Sequence, residues 1–285
     1  MTKNTLLQSF SPAVQALVDM ALTEDLNCGD ITSDLLIDES SRSQAVLLAK
    51  EPMSIAGLPL FVHVLHSLDP SLTVEVFHPD GSQVDRGTQI AIVEGGSRAL
   101  LRGERTALNF VRHLSGVATL TRKYISLVGA EKPWIVDTRK TTPGFRELEK
   151  YAVRMGGGRN HRFNLGAAVM LKDNHIVAGG GITAAVQRVK SQLGHAAVIE
   201  VETTNLDEVK EALDAGAHVI MLDNMDDQTI SEAVALCAGK AVTEASGGIT
   251  HERLAALAET GVDVISIGAL THSAPAADLS LNFSA

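Results

Sequence analysis

The sequence predicts an α/β protein: an open or incomplete (β/α) barrel with a separate α+β domain ahead of it. Two observations carry most of that prediction. From residue 134 onward short apolar runs ending in polar residues recur, and the last four begin 21 to 23 residues apart, room for one strand, one helix and two short loops. Before residue 115 that repeat is missing, and helical and alternating stretches follow one another irregularly. Composition agrees: 285 residues at 45% apolar and 4% aromatic can bury a large core of Val, Ile, Leu and Ala.

Taken in order, Ser11-Pro12 opens a helix with Val14, Leu17, Val18 and Leu22 inward. Strand candidates follow at 45–49, 72–77 and 89–93, with a turn at Asp80-Gly81. Ser97 opens a second helix through Leu100, Leu101, Leu108 and Val111, and a domain boundary is expected near Ser115-Gly116. The later strands are 134–136, 169–171, 198–202, 219–223, 242–244 and 264–267. A helix begins near Phe145 and can end at the glycines 156–158. Asn205 with Glu208 reads as a capping pair, Leu206, Val209 and Leu213 share a face, and Gly216 closes that helix; Thr250 to Thr260, before Gly261, repeats the scheme. Six strands are short of the usual eight of a closed barrel, hence an open one. The expected domains are 1–115, 116–268 and a tail at 269–285.

A net charge of −10 and few aromatics argue against nucleic acid as a partner, because such binding needs broad phosphate neutralisation and rings to stack on. No run approaches the roughly 18 apolar residues that span a bilayer, and Met1 to Ser11 holds no continuous apolar leader, so no membrane role is expected. Cys28 and Cys237 are too few for a zinc site or disulfide framework, which suits a reducing cytoplasm.

Against that acidic background, residues 137–175 carry eight Lys/Arg and only four carboxylates. Such local concentration points to a pocket for a multiply anionic small molecule. Barrel chemistry gathers at the C-terminal ends of strands, and the notable residues fall there. Thr138, Arg139 and Lys140 follow Val136; Lys172, Asp173, Asn174 and His175 follow Leu171; Glu202, Asp223 and Ser246 end later strands. Arg139, Arg162 and Lys172 form a candidate dicarboxylate clamp, since a charge-assisted hydrogen bond contributes about 1.5–3 kcal/mol; the competing reading is three solvated cations.

Glu200 and Glu202 point to one side of their strand. With Asp223, Glu202 is a candidate to position Mg²⁺ and ribose hydroxyls; the competing reading for these carboxylates is a structural salt bridge to Lys172 or Lys140. Gly247, Gly248 and Gly268 follow strands where a phosphate can rest on backbone N–H groups. His161, His175 and His272 each read, taken singly, as local hydrogen-bonding residues.

Several runs together resemble the quinolinate phosphoribosyltransferase family: Glu24-Asp25-Leu26 with Gly29-Asp30-Ile31-Thr32, residues 104–110, Asp137 through Gly144, Lys172 through Ile176, Glu200-Val201-Glu202, Met221 through Asn224, and Gly268-Ala269-Leu270-Thr271. The resemblance implies a type II phosphoribosyltransferase with an N-terminal α+β sandwich-like domain, an open barrel, and a tail returning to the first domain. It implies a homodimer in which Arg105 enters the partner's barrel. By the same resemblance Arg105, Arg139, His161, Arg162 and Lys172 clasp quinolinate. Lys140, Glu202 and Asp223 serve phosphoribosyl pyrophosphate and Mg²⁺, Ser246, Gly247, Gly268 and His272 surround the 5′-phosphate, and Thr138, Asp173, His175, Gly248 and Ala269 complete the expected substrate-binding set. One departure is visible: after Arg162 the family has glycine and aspartate where this chain has Asn164 and Ala167.

The expected reaction is attack of the quinolinate ring nitrogen on the anomeric carbon with loss of pyrophosphate, then CO2, giving nicotinate mononucleotide for NAD biosynthesis. Lys140, Lys172, Glu202 and Asp223 would carry it through charge and positioning. Two rivals are a lyase or aldolase using Lys172 as a Schiff base and a non-catalytic barrel that binds phosphometabolites.

Overall fold

The computed structural model describes residues 10–129 and 131–284; the expectation about the N-terminal leader falls, up to Ser9, outside them. Packing divides the chain into two compact units, one of 1–122, 141–157 and 270–285, the other of 123–140 and 158–269.

The first unit opens with α1 (Pro12–Leu26), started by Ser11, whose hydroxyl accepts the Val14 N–H. Val14, Val18 and Leu22 are its buried stripe, while Leu17, expected inward, is half-buried. Asp30 caps α2 (Ile31–Leu36) by accepting the Ser33 N–H at 3.0 Å. There follow β1 (Arg42–Ala49), β2 (Met53–Ser54), α3 (Leu58–Leu68), β3 (Thr73–Val76), β4 (Gln83–Val84) and β5 (Gln89–Gly96). Asp80, read as a turn residue, also holds the start of α3: its carboxylate accepts the N–H groups of Gly57 and Leu58 and the Tyr151 hydroxyl. Helix α4 (Ser97–Val128) runs unbroken through residues 115–116. Gly116 is required inside it, because a methyl group there would overlap the Pro275 carbonyl.

The strands pair antiparallel in the order β12, β1, β5, β3, where β12 (Leu279–Ser284) lies along β1. The C-terminal segment is also tied to α4, where Arg112 and Ala277 exchange two hydrogen bonds of 2.9 Å.

In the second unit, β6 (Trp134–Val136), β7 (Val169–Leu171), β8 (Ile199–Thr203), β9 (Val219–Asp223), β10 (Val242–Ser246) and β11 (Val264–Ser266) form one parallel sheet ordered β6, β11, β10, β9, β8, β7. The edge strands β6 and β7 do not pair with each other, so the barrel is open, as the six apolar runs predict. Burial on both faces explains the runs: Ile199, Val201, Ile220, Leu222, Ala245 and Ile265, on one face, are at most 1% exposed, and Met221 and Val264 are buried on the other.

Helices α6 (Asp173–Gly179), α7 (Ile182–Lys190), α8 (Leu206–Ala215), α9 (Asp227–Cys237), α10 (Leu254–Glu259) and α11 (Ala269–His272) follow the strands, and α5 (Arg146–Met155) belongs to the first unit. Asn205 caps α8 by accepting the Glu208 N–H, and Gly216 ends it with φ +80°. Its buried face is Val209, Ala212 and Ala215, with Leu206 and Leu213 only half-buried. Helix α10 starts at Leu254 rather than Thr250, because 250–253 form a turn that Arg253 pins to Asp227. Among the described residues no helix is long and apolar enough to cross a membrane.

Candidate active site

Parallel pairing brings the C-terminal ends of β6 to β11 to one side of the sheet, and with them Thr138, Arg139, Lys140, Lys172, Glu202, Asp223, Ser246 and Gly268. The cationic stretch 137–175 does not act as one body. Arg146, Lys150 and Arg154 lie on α5, where Arg146 donates to Thr141 and Lys150 is buried, and Arg159 stacks 3.7 Å over the Trp134 ring. Besides Arg159, the cations of the stretch that the barrel unit carries are Arg139, Lys140, Arg162 and Lys172, at its strand ends and in the loop between β6 and β7. The glycine run divides likewise. Gly156 ends α5 and fits against Ala118 and Thr121 of α4, so its role is packing.

Arg162 donates to the Ala168 carbonyl at 2.9 Å and to Met170 Sδ at 3.4 Å, which holds its guanidinium near the start of β7. Burial lowers its pKa and so does the charge of Arg139, while Glu200 opposes. The two arginines are therefore close enough to repel one another, the condition an arriving dianion relieves. Where the family has glycine, the Asn164 side chain closes a turn by accepting the Gly166 N–H at 3.0 Å. Ala167 is exposed, and nothing in the structure explains its replacing aspartate.

Beneath this clamp lies a buried acidic layer that sequence reading misses. Asp137, fully buried, accepts the His161 N–H at 2.9 Å and the Asn160 side chain at 2.6 Å. The His161 ring points inward: Nδ1 lies 2.8 Å from the Arg162 backbone nitrogen, and Nε2 lies 3.3 Å from Glu200 and 3.5 Å from Glu244. The Glu244 contact is an ion-pair distance rather than a good hydrogen bond, since that oxygen lacks a hydrogen-bond partner. Burial opposes a charged ring, but the two glutamates outweigh it and push the His161 pKa up to about 10. Burial raises Glu200 in turn. Glu200 thus pairs with His161, not with Lys172 or Lys140. These three side chains are close enough together to hold a metal ion. The proton that the two glutamates hold on Nε2 disfavours it, because a metal would have to bind there.

Lys172 Nζ meets Glu202 Oε2 at 2.7 Å across β7 and β8. That pairing engages the amine a Schiff base would need. Asp173 and His175 form the first turn of α6 and bind backbone: Asp173 accepts the Asn174 N–H and His175 Nδ1 the Lys172 N–H. At the end of β9, Asp223 accepts from the Asn224 side chain at 2.7 Å. Gly247 and Gly248 follow Ser246 with φ of +84° and +58°, in the left-handed region; Gly268 and Ala269 follow β11.

Arg105 and His272 belong to the first unit. Arg105 is exposed on α4 and lines a hollow with Asp25, Asp30, Ile31 and Leu101, while His272 meets the Ser273 hydroxyl at 2.7 Å.

Comparison with known proteins agrees along the whole chain. The family model "Quinolinate phosphoribosyl transferase, N-terminal domain" matches residues 30–115 and its C-terminal counterpart residues 117–282. A relative from Synechocystis sp., named as a probable nicotinate-nucleotide pyrophosphorylase (carboxylating), is 47% identical over 263 residues, covering 91% of this chain and 89% of that protein. A Bacillus subtilis protein of the same name is 42% identical and covers 94% and 93%. Among solved structures, NadC from Streptococcus pyogenes superposes with a TM-score of 0.93 at 38% identity, covering 98% of this chain and 99% of that one.

Proposed function

The chain belongs to the quinolinate phosphoribosyltransferase family, and we infer from that membership and from the strand-end geometry that it transfers phosphoribosyl from phosphoribosyl pyrophosphate to quinolinate, with decarboxylation. The products are nicotinate mononucleotide, pyrophosphate and CO2, a step of NAD biosynthesis. The observation that carries the substrate assignment is that Arg139 and Arg162 lie close enough to repel one another, in the unit that also carries Lys172 at the end of β7. Cations held together against repulsion are arranged for an anionic guest, and two planar guanidinium forks suit two carboxylates.

Chemically, the ring nitrogen of quinolinate forms a bond to the anomeric carbon as the bond to pyrophosphate breaks. Positive charge builds on the ribose ring, and the Glu202 and Asp223 carboxylates favour it. Lys140, exposed at the end of the 138–140 segment, suits the leaving pyrophosphate, with Thr138 beside it. The N–H groups after Ser246, at Gly247 and Gly248, and those at Gly268 and Ala269 suit the 5′-phosphate, with His272 as a further candidate. Once the ring nitrogen is quaternary it draws in the electron pair of the adjacent C–C bond, CO2 leaves, and the carbon takes a proton from water. No general base is required; positioning and charge supply the acceleration.

Glu202 and Asp223 also fit Mg²⁺. Both are hard oxygen donors at the ends of neighbouring strands, and each has one oxygen engaged by a protein donor, Lys172 or Asn224, and a second to offer. When bound, the ion would neutralise charge on the pyrophosphate.

The working unit we propose is a homodimer in which Arg105 completes the partner's clamp. Its support is α2, whose Ile31 lines the same hollow as Arg105: Ile31, Leu35 and Leu36 are 74%, 84% and 76% exposed, an apolar surface that a second copy would cover. The free thiols Cys28 and Cys237 suit the cytoplasm.

A two-substrate assay tests the reading. Release of CO2 should require both quinolinate and phosphoribosyl pyrophosphate, and nicotinate should not replace quinolinate as acceptor. Turnover with nicotinate alone, or CO2 release without phosphoribosyl pyrophosphate, would overturn it.

A further inference from the structure

Asn224 has been given no role in the reaction above, yet both its backbone and its side chain are constrained. Its φ of +55° lies in the left-handed region, which among the described residues only one other non-glycine residue, Ala238, enters. Asparagine tolerates that conformation better than most side chains. Its backbone N–H donates to the Ser246 carbonyl at 2.9 Å, fastening the end of β9 to the end of β10. Its side-chain Nδ2 donates to Asp223 Oδ2 at 2.7 Å. A carboxylate only accepts, so this contact fixes which end of the amide faces Asp223. The flat carboxamide then lies where a side chain on Gly247 would be: a methyl group there would overlap it, 2.8 Å from Nδ2 and nearer still to its carbon and oxygen.

We propose that Asn224 is a positioning residue for the transfer step, one amide that sets the Asp223 carboxylate and the Ser246-Gly247-Gly248 loop in a single register. This rests on the reading of Asp223 as facing the ribose and of the loop as facing the 5′-phosphate. Those two groups sit on one substrate, so a shift of either element relative to the other misaligns the anomeric carbon. The requirements select the residue. Glycine adopts the backbone but offers no donor; aspartate keeps the shape but sets a second negative charge against Asp223; alanine meets neither need.

The test compares the full-length wild type with Asn224→Gly and Asn224→Asp by steady-state kinetics, by calorimetric binding of phosphoribosyl pyrophosphate with Mg²⁺, and by thermal unfolding. Asn224→Gly should unfold within a few degrees of wild type. Its kcat/KM for phosphoribosyl pyrophosphate should fall about 10- to 100-fold, the scale of a small misplacement, and the KM for quinolinate should change less than about threefold. Asn224→Asp should be worse than Asn224→Gly despite its closer shape. If Asn224→Gly binds and uses phosphoribosyl pyrophosphate like a wild type that is itself active, the positioning role is wrong. Equal losses toward both substrates would overturn it too, as the mark of a general structural defect. A wild type that neither binds phosphoribosyl pyrophosphate nor releases CO2 would instead remove the functional reading beneath it.

Discussion

Lys172 and Glu202 form a 2.7 Å ion pair that joins the cationic edge of the strand-end site to its acidic edge. The lysine is 44% exposed, so the pair adds little to folding, about 0.2–1 kcal/mol. Its value is in holding two reactive side chains in register. Lys172→Met and Glu202→Gln should therefore each unfold in denaturant within about 1 kcal/mol of wild type, while kcat/KM falls at least about tenfold in both. The double variant should lose less than the product of the single losses, since each single change already breaks the shared contact.

Arg139 and Arg162 should separate under mutation. Arg139→Ala removes one fork from the dicarboxylate and should raise the quinolinate KM about 10- to 100-fold, the equivalent of one lost charge-assisted bond, with the KM for phosphoribosyl pyrophosphate little changed. The substitution also removes a repulsive charge from beside Arg162. Arg162→Ala should weaken quinolinate binding similarly and also lower the thermal midpoint, since it gives up the bond to the Ala168 carbonyl. Steady-state kinetics with thermal melts of the two variants side by side would check the difference.

The fold and the strand-end residues were largely legible in the sequence, and physics says why. Parallel strands buried on both faces read as apolar runs, and the residue leaving each run is delivered to one side of the sheet whatever the loop does. The pair β2 and β4 is two residues long in each strand and leaves no period to read. Helix α3 buries Leu58, Leu60, Phe61, Val62, Val64 and Leu65, too much of its circumference to show a stripe. The acidic layer under the clamp was illegible for another reason. His161, Glu200 and Glu244 lie far apart in the chain and meet only because β8 and β10 flank β9. Charge counting misled where it ignored direction: Arg159 belongs to the same cationic run as Arg162, yet it spends its charge on Trp134.

That hidden layer predicts a pH dependence. The His161 pKa is pushed up to about 10 in the folded chain, above its ordinary value of 6.5. A raised folded pKa means the folded state holds a proton the unfolded state has lost, so stability falls as pH rises. This contribution is fully present below about 6.5 and is lost by the time the pH passes about 10. Imidazole NMR should show the ring charged well above neutrality in wild type. In Glu244→Gln its titration should move down, and the thermal midpoint between pH 8 and 10 should fall less steeply than in wild type.

If Arg105 completes the partner's site, two dead variants should revive each other. In Arg105→Ala the barrel is intact but the donated arginine is missing; in Lys172→Met the arginine is present but the barrel is impaired. A mixed dimer places the intact barrel of the first opposite the intact Arg105 of the second, and leaves the other site doubly defective. Random exchange makes half of the dimers mixed, each with one competent site of two, so refolded equimolar mixtures should recover about a quarter of wild-type activity. Were Arg105 to act on the barrel of its own chain, every site in the mixture would carry one defect and the rate would stay at that of the single variants. Activity measured before and after co-refolding, with the dimer followed by light scattering, separates the two arrangements.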